Sequence, residues 1–345
     1  MAAETTTYDY DYETSSYEEP HVSPCNLNNV NYLGAQLSIL YYFMFVLSVC
    51  GNGLVLVIIH RFEKLTTVTN ILLLNLVVSS LIFMSSLPFW GVYLQLSYWS
   101  FGEAMCRIVG TVYYLGFYSS VLFLTLLTFD RHLAVVYSLT ASQVRGRRYA
   151  VISCAVVWLV SGLACIRPMI IHTTFKFLNT TYCQDYPALN LTSINVGLLR
   201  KSGFYIQLIL FLIFPLAVII YCYVRIAITV MTSKIVAKFK TVRLIFVIVL
   251  MFFTCWTPYN IALMMQDKAT GCEQKKKWAY ALEVTRVMAY IYFCISPIFY
   301  TFVGKKFQNY FRQLLVNRFP QLKKHVSVSQ QSRTNMSTKS TRNEL

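Results

Sequence analysis

The chain has 345 residues, 56% of them hydrophobic and only 13% charged, with a net charge of +16. Its apolar residues fall in long runs, without the three-to-four spacing of soluble amphipathic helices, which excludes an ordinary water-soluble globule. The composition is that of a membrane protein.

Residues 1–33 stand apart from the rest. Six of the fourteen acids (Glu4, Asp9, Asp11, Glu13, Glu18 and Glu19) crowd the first nineteen positions, threaded with Tyr8, Tyr10, Tyr12 and Tyr17 in the stretch "YDYDYETSSYEE". This part has no apolar core of a cleavable signal peptide, so the first hydrophobic span is expected to act as its own export signal.

Seven apolar runs follow, at about 34–60, 68–95, 105–137, 149–171, 203–230, 240–266 and 279–303. About 20 apolar residues cross the hydrocarbon core as a helix. The expected fold is therefore an all-α, seven-transmembrane helix bundle over residues 34–303. Residues 304–316 carry Phe307, Phe311 and Leu315 at i, i+4 and i+8, a spacing that suits a short amphipathic helix lying along the membrane. Residues 317–345 are expected to be a disordered, Ser/Thr-rich cytoplasmic tail.

An odd number of spans puts the two ends on opposite sides of the membrane. Arg61 and Lys64, then Arg145, Arg147 and Arg148, then Lys234, Lys238 and Lys240, and the tail from Lys305 share one side. The positive-inside rule makes that side cytoplasmic and the N-terminus extracellular. Lys275, Lys276 and Lys277 run against the pattern.

Of ten cysteines, Cys25, Cys106, Cys183 and Cys272 fall in or beside the outer segments and none falls in an inner one. Disulfides persist in oxidising compartments, and four thiols allow three pairings. The six cysteines within spans are expected to be packing residues. Asn179 and Asn190 head glycosylation sequons in the second outer loop.

Ionisable groups inside a bilayer are rare and tend to be functional. Asp130 and Arg131 end the third span, where Arg131 by itself also fits a snorkelling interfacial side chain. Glu283 and Arg286 lie three residues apart, on one helical face of the seventh. Pro88, Pro215, Pro258 and Pro297 interrupt spans two, five, six and seven, which suits helices that swing. Seven dissimilar spans with no duplicated half argue against a transporter, and no catalytic cluster argues for an enzyme. No cofactor, metal site or nucleic-acid partner is expected.

"GNGLV" in span one, "DRH" ending span three, "CWTP" in span six and "SPIFY" in span seven together resemble a rhodopsin-class G-protein-coupled receptor. The acidic, tyrosine-rich N-terminus before Cys25, "SLPFW" in span two and a cysteine in the third outer loop resemble a chemokine receptor. "RFEKLTTVTNILLLNL", "KTVRLIFVIVLMFFTCWTPYN" and "SPIFYTFVGKKF" resemble the lymphotactin (XC-type) members most. The resemblance covers residues 25–311.

The resemblance implies a Cys106–Cys183 bridge and a Cys25–Cys272 bridge. It implies that Tyr41, Trp90, Tyr113, Tyr259, Glu283 and Arg286 face an outer cavity with Trp256 as pivot beneath. The acidic segment, with sulfated tyrosines and Glu18 and Glu19, would capture a basic chemokine. An outward swing of span six would expose Arg131, Tyr223 and Tyr300 to a heterotrimeric G protein of the inhibitory class, with Leu139 filling a slot on its surface. Pro258 and Pro297 would serve the movement. Receptor kinases and arrestin would act on Ser and Thr between 327 and 341. No cysteine follows residue 304, so no palmitoyl anchor is expected there. The alternative is an atypical receptor that internalises chemokine without signalling.

Several positions depart from the family. Ser80 stands where an aspartate is usual, Ser296 precedes Pro297 in place of asparagine, and Tyr292 replaces a histidine. Hydroxyls here and at Ser120 supply no negative charge to offset cation dehydration, so the sodium site of such receptors is expected to be absent. His132 replaces the tyrosine of the Asp-Arg-Tyr motif. Arg286 replaces the acid that many members use to hold a ligand amine.

Overall fold

The computed structural model describes residues 28–62, 67–138, 140, 143, 145–177, 179–185, 196–233, 239–303 and 305–318. Eleven helices are described: α1 (Asn28–Phe62), α2 (Val68–Met84), α3 (Leu87–Leu96), α4 (Gly102–Val136), α5 (Arg147–Ala164), α6 (Ile166–Ile171), α7 (Val196–Leu208), α8 (Phe214–Ser233), α9 (Phe239–Lys268), α10 (Cys272–Val303) and α11 (Lys305–Arg318). A hairpin of β1 (His172–Phe177) and β2 (Thr180–Asp185) lies between α6 and α7.

These pieces assemble into the expected seven spans. Six are long and apolar enough to cross a bilayer: Ala35–Phe62, Val68–Leu96, Gly102–Val136, Arg147–Ile171, Ser202–Thr232 and Ile245–Gln266. The seventh, α10, carries Glu273, Lys275, Lys276, Lys277, Glu283 and Arg286 in its first half, which lowers its hydropathy below the others. It packs along α9 and α1 as an integral member of the bundle. Its helix begins seven residues before the apolar run read from sequence, because the polar first turns continue the same hydrogen-bonded ladder beyond the oily part.

Local chemistry explains the interruptions. Span two breaks between α2 and α3 at Ser85 and Ser86, whose hydroxyls donate to the carbonyls of Ile82 and Phe83 at 2.7 Å each, with Pro88 following at the start of α3. In span five a π-helical turn, Ile209–Ile213, immediately precedes Pro215. Proline donates no amide and its ring displaces the preceding turn, so the ladder takes a wider register there. Pro258 and Pro297 are carried inside α9 and α10.

The core is aromatic and runs down the bundle axis. Phe117 sits 4.1 Å from Trp256, Phe83 4.2 Å from Phe293, and Tyr118 3.9 Å from Phe211, centroid to centroid. Tyr113 and Tyr114 adjoin this packing, but the Tyr113 hydroxyl opens onto the polar cluster described below. Asn52 ties α1 to α10, donating to the Phe293 carbonyl at 3.2 Å and to Ser48 at 3.0 Å. The indole of Trp158 on α5 donates to Asn75 on α2 at 2.9 Å. At the far end α11 docks on α1 through stacked Phe62 and Tyr310.

Candidate ligand cavity and switch region

One end of the bundle is closed by a disulfide. Cys106, one turn into α4, is bonded to Cys183 on β2. The bridge is buried with Trp99 and Val109, and the Trp99 amide donates to the Thr181 carbonyl at 2.7 Å. The hairpin pairs His172 with Asp185 through to Phe177 with Thr180, and turns through Asn179 at φ 62°. Asparagine tolerates that left-handed conformation, and Asn179 is exposed. Cys272, the first residue of α10, is also disulfide-bonded. Its expected partner Cys25 lies outside the described residues, as do Asn190 and the acidic segment with Tyr8, Tyr10, Tyr12, Tyr17, Glu18 and Glu19.

Below this lid five of the expected residues (Tyr41, Tyr113, Tyr259, Glu283 and Arg286) converge, with Trp90 beside the disulfide. Glu283 and Arg286, one turn apart on α10, form an ion pair with the Arg286 guanidinium donating to Glu283 Oε1 at 2.8 Å. Arg286 interacts electrostatically with Tyr41 from α1 and with Tyr259 from α9. Tyr41 meets Tyr290 edge-on at 5.1 Å, and Tyr113 from α4 meets the same ring at 6.3 Å. Trp90 on α3 lies 5.9 Å from Trp99 under the disulfide. Trp256 forms the floor, fully buried, 5.7 Å from Tyr259.

Several polar atoms here lack a well-formed hydrogen bond, although Tyr41 Oη lies beside Arg286 and Tyr113 Oη beside Tyr259. Tyr41 Oη, Tyr113 Oη, Trp90 Nε1, Trp256 Nε1 and Glu283 Oε2 are all buried without such a bond. Each such group costs about 1–3 kcal/mol when desolvated and unpaired. Five helices, α1, α3, α4, α9 and α10, therefore present such donors and acceptors in this part of the bundle, which is the chemistry of a site that a polar ligand completes.

The opposite end holds a second cluster. Asp130 is fully buried and accepts from Arg131 at 2.8 Å, from Arg145 Nε at 2.7 Å and Nη2 at 2.8 Å, and from Thr69 at 3.3 Å. Arg131 is thus paired, not a lone snorkelling side chain. The bidentate Arg145 was missed by sequence reasoning, which registered it only as one more positive-inside residue. It stands one residue before the N-cap of α5, fifteen beyond Asp130, and nothing in that local sequence marks the contact. His132 is buried among Phe129, Tyr137 and Tyr221, with both ring nitrogens unpartnered. Tyr223 meets Phe246 of α9 edge-on at 5.1 Å. Leu139 lies outside the described residues, and Tyr300 lies within α10 but its side chain is not among those described.

Between the two ends, Ser80 is buried and its hydroxyl is spent on the Leu76 carbonyl at 2.9 Å. Ser120 and Ser296 are buried nearby in sequence register, and no group of three acid, histidine or cysteine side chains able to hold a metal occurs among the described residues.

Residues 51–300 match the family model for the seven-transmembrane receptors of the rhodopsin family. The human C-C chemokine receptor type 1 is 36% identical over 325 residues, 92% of this chain and 90% of that protein. The human C-C chemokine receptor type 4 is 33% identical, covering 90% and 87%. The G-protein coupled receptor E1 of equine herpesvirus 2 is 34% identical, covering 88% and 78%. Those relatives are receptors, not enzymes. The spans, the bridged lid and these matches together place this chain in the rhodopsin family of G-protein-coupled receptors, within its chemokine-receptor group.

Proposed function

We propose that this protein is a plasma-membrane chemokine receptor, with its N-terminus and the disulfide-closed end outside the cell. It binds a basic chemokine and activates an inhibitory heterotrimeric G protein, with calcium release and chemotaxis downstream. The observation that carries the reading is the ring of buried polar atoms without well-formed hydrogen bonds on Tyr41, Tyr113 and Glu283 around the Glu283–Arg286 pair. A chemokine N-terminus, rich in peptide donors and acceptors, satisfies such a ring.

The acidic residues 4–19 supply first capture. Opposite charge accelerates encounter and the effect weakens with salt. Sulfation of Tyr8, Tyr10, Tyr12 and Tyr17 adds anionic groups to the same segment. The Cys25–Cys272 bridge holds its end beside the cavity, and glycans on Asn179 and Asn190 decorate the second outer loop. Seated ligand shifts Trp256, and α9 swings about Pro258. Asp130 then releases Arg131, which with Tyr223, Tyr300 and Leu139 receives the G protein. Receptor kinases and arrestin act on the tail. Among chemokine receptors, the stretches at 61–76, 240–260 and 296–307 support the XC-type branch.

A second reading, a scavenging receptor that internalises ligand without G-protein activation, is favoured by His132 and Ser80, which alter two parts of the switch. The test is nucleotide exchange on inhibitory G protein in membranes carrying the full chain, with and without a chemokine panel. Exchange driven by at least one chemokine is expected. Binding without exchange would establish the scavenger, and no binding would overturn both. Deleting residues 5–19 is expected to slow ligand association, most at low ionic strength.

A further inference from the structure

The positive-inside pattern leaves Lys275, Lys276 and Lys277 unexplained, and they directly precede in sequence Trp278, which lines a lateral cleft. They occupy the first turns of α10, with Lys275 and Lys277 exposed, and Lys268 is exposed at the facing end of α9. Asp267 beside Lys268 and Glu273 beside the other three offset part of this charge and leave a net positive sequence. Immediately below them, α9 and α10 part to leave a cleft of about 570 Å³. It is an open groove along the seam of the two helices, not an enclosed pocket. Its walls are apolar: Phe253, Pro258 and Ile261 from α9, Trp278 and Ala281 from α10, with Thr257 between them. The helices are antiparallel, so Trp278 and Ile261 stand near the mouth and Phe253 lies deepest, about 12 Å farther in at 1.5 Å per residue. The opening is lateral, on the side of α9 away from Trp256, where Ile261 is exposed.

Cations at the interface, an indole at the mouth and an oily slot reaching toward the bilayer centre match, in order, an anionic group, a sugar ring and an acyl chain. We infer that this cleft binds an acidic glycosphingolipid of the outer leaflet, with its sulfate or sialate on the lysines, its sugar on Trp278 and one chain between α9 and α10. Trp278 is the reason for a sugar headgroup over a simple phospholipid: an indole presents a flat apolar face to the C–H side of a hexose. The lysines are the reason for an acid, because each basic residue at a membrane surface favours an anionic headgroup. The occupant would rest against Pro258, the bend of the helix that the proposed activation moves. The leaflet rests on the orientation proposed above, and the binding measurement below does not depend on that orientation, so the two can fail separately.

The full chain, purified in a neutral detergent, is titrated with sulfatide, with galactosylceramide, which lacks only the sulfate, and with phosphatidylserine, and retained lipid is counted by native mass spectrometry. Sulfatide is expected to be retained at least about tenfold better than either of the others. Equal retention of galactosylceramide removes the role of the lysines, and equal or better retention of phosphatidylserine removes the sugar; either overturns the proposal. Replacing all three lysines (K275Q, K276Q, K277Q) is expected to abolish the preference for sulfatide over galactosylceramide. Ala281→Phe is expected to reduce retention of both glycolipids by filling the slot. Should that variant not fold, a sulfatide photoreactive at its acyl chain is applied to the native sequence. Labelling of the peptide holding Phe253 or that holding Trp278 and Ala281 is the expected result, and labelling confined to other spans would refute the site. Cell-surface epitope labelling of the N-terminus tests the orientation alone.

Discussion

In the proposed receptor, Arg286 is the side chain that would set what the cavity accepts. Its guanidinium occupies one Glu283 oxygen and leaves the other buried and unmet, so the pair is neutral as a unit and offers one acceptor plus the remaining guanidinium donors. Replacing arginine by glutamate puts two carboxylates one turn apart in a partly desolvated site, where like charges repel and a ligand cation becomes the natural partner. Arg286→Glu is therefore expected to change which chemokine activates, with half-maximal concentrations shifting by about tenfold or more for at least one ligand. A calcium-flux panel giving the same ligand ranking for both forms would remove this role. Arg145 carries the same lesson at the other end: its fork meets both oxygens of Asp130, a geometry that lysine does not reproduce.

At the scale of the helices, spacing is set by what is absent as much as by what is present. A methyl group at Gly116 on α4 would land on the backbone of Phe83 on α2, whereas Gly162 on α5 has nothing within 4 Å of the same position. Alanine is favoured over glycine in a helix by about 1 kcal/mol, but forcing two packed helices apart costs about 1–3 kcal/mol. Gly116→Ala is expected to lower the melting temperature of the detergent-solubilised protein, and Gly162→Ala to leave it unchanged or raise it. Equal behaviour of the two would show that α2 and α4 do not approach as closely as described. The same close approach brings Phe83 within 4.9 Å of Tyr113, so the glycine also shapes the cavity wall.

For the molecule as a whole, the question is how its resting state is held. Ser80 spends its hydroxyl on its own helix, and Ser120 and Ser296 bring no charge. A sodium ion moved to this depth would lose water without a carboxylate in return. Replacing sodium by choline in a basal G-protein activation assay is thus expected to leave basal activity unchanged, and a rise on removing sodium would defeat this. In the proposed receptor the resting arrangement would then be held by the Asp130 cluster and the aromatic column from Phe83 through Trp256 to Phe252, joined to Tyr292 at 5.1 Å.

The spans were legible in the sequence because a bilayer admits only helices with their backbone bonds satisfied internally and their flanks apolar. That constraint acts on each stretch separately, so runs of Leu, Val, Ile and Phe disclose it one helix at a time. The four prolines, the cysteine of the lid on α4 and the one-turn spacing of Glu283 and Arg286 were legible for the same reason. The hairpin between α6 and α7 was not read from the sequence, and its place over the bundle is fixed by Cys183 bonding to Cys106, 77 residues away in the chain. Nor were Arg145 on Asp130, the parting of α9 from α10, or which polar atoms end up without partners. Those are relations between helices distant in sequence, fixed only when packing decides which faces meet, and no local pattern of residues records them.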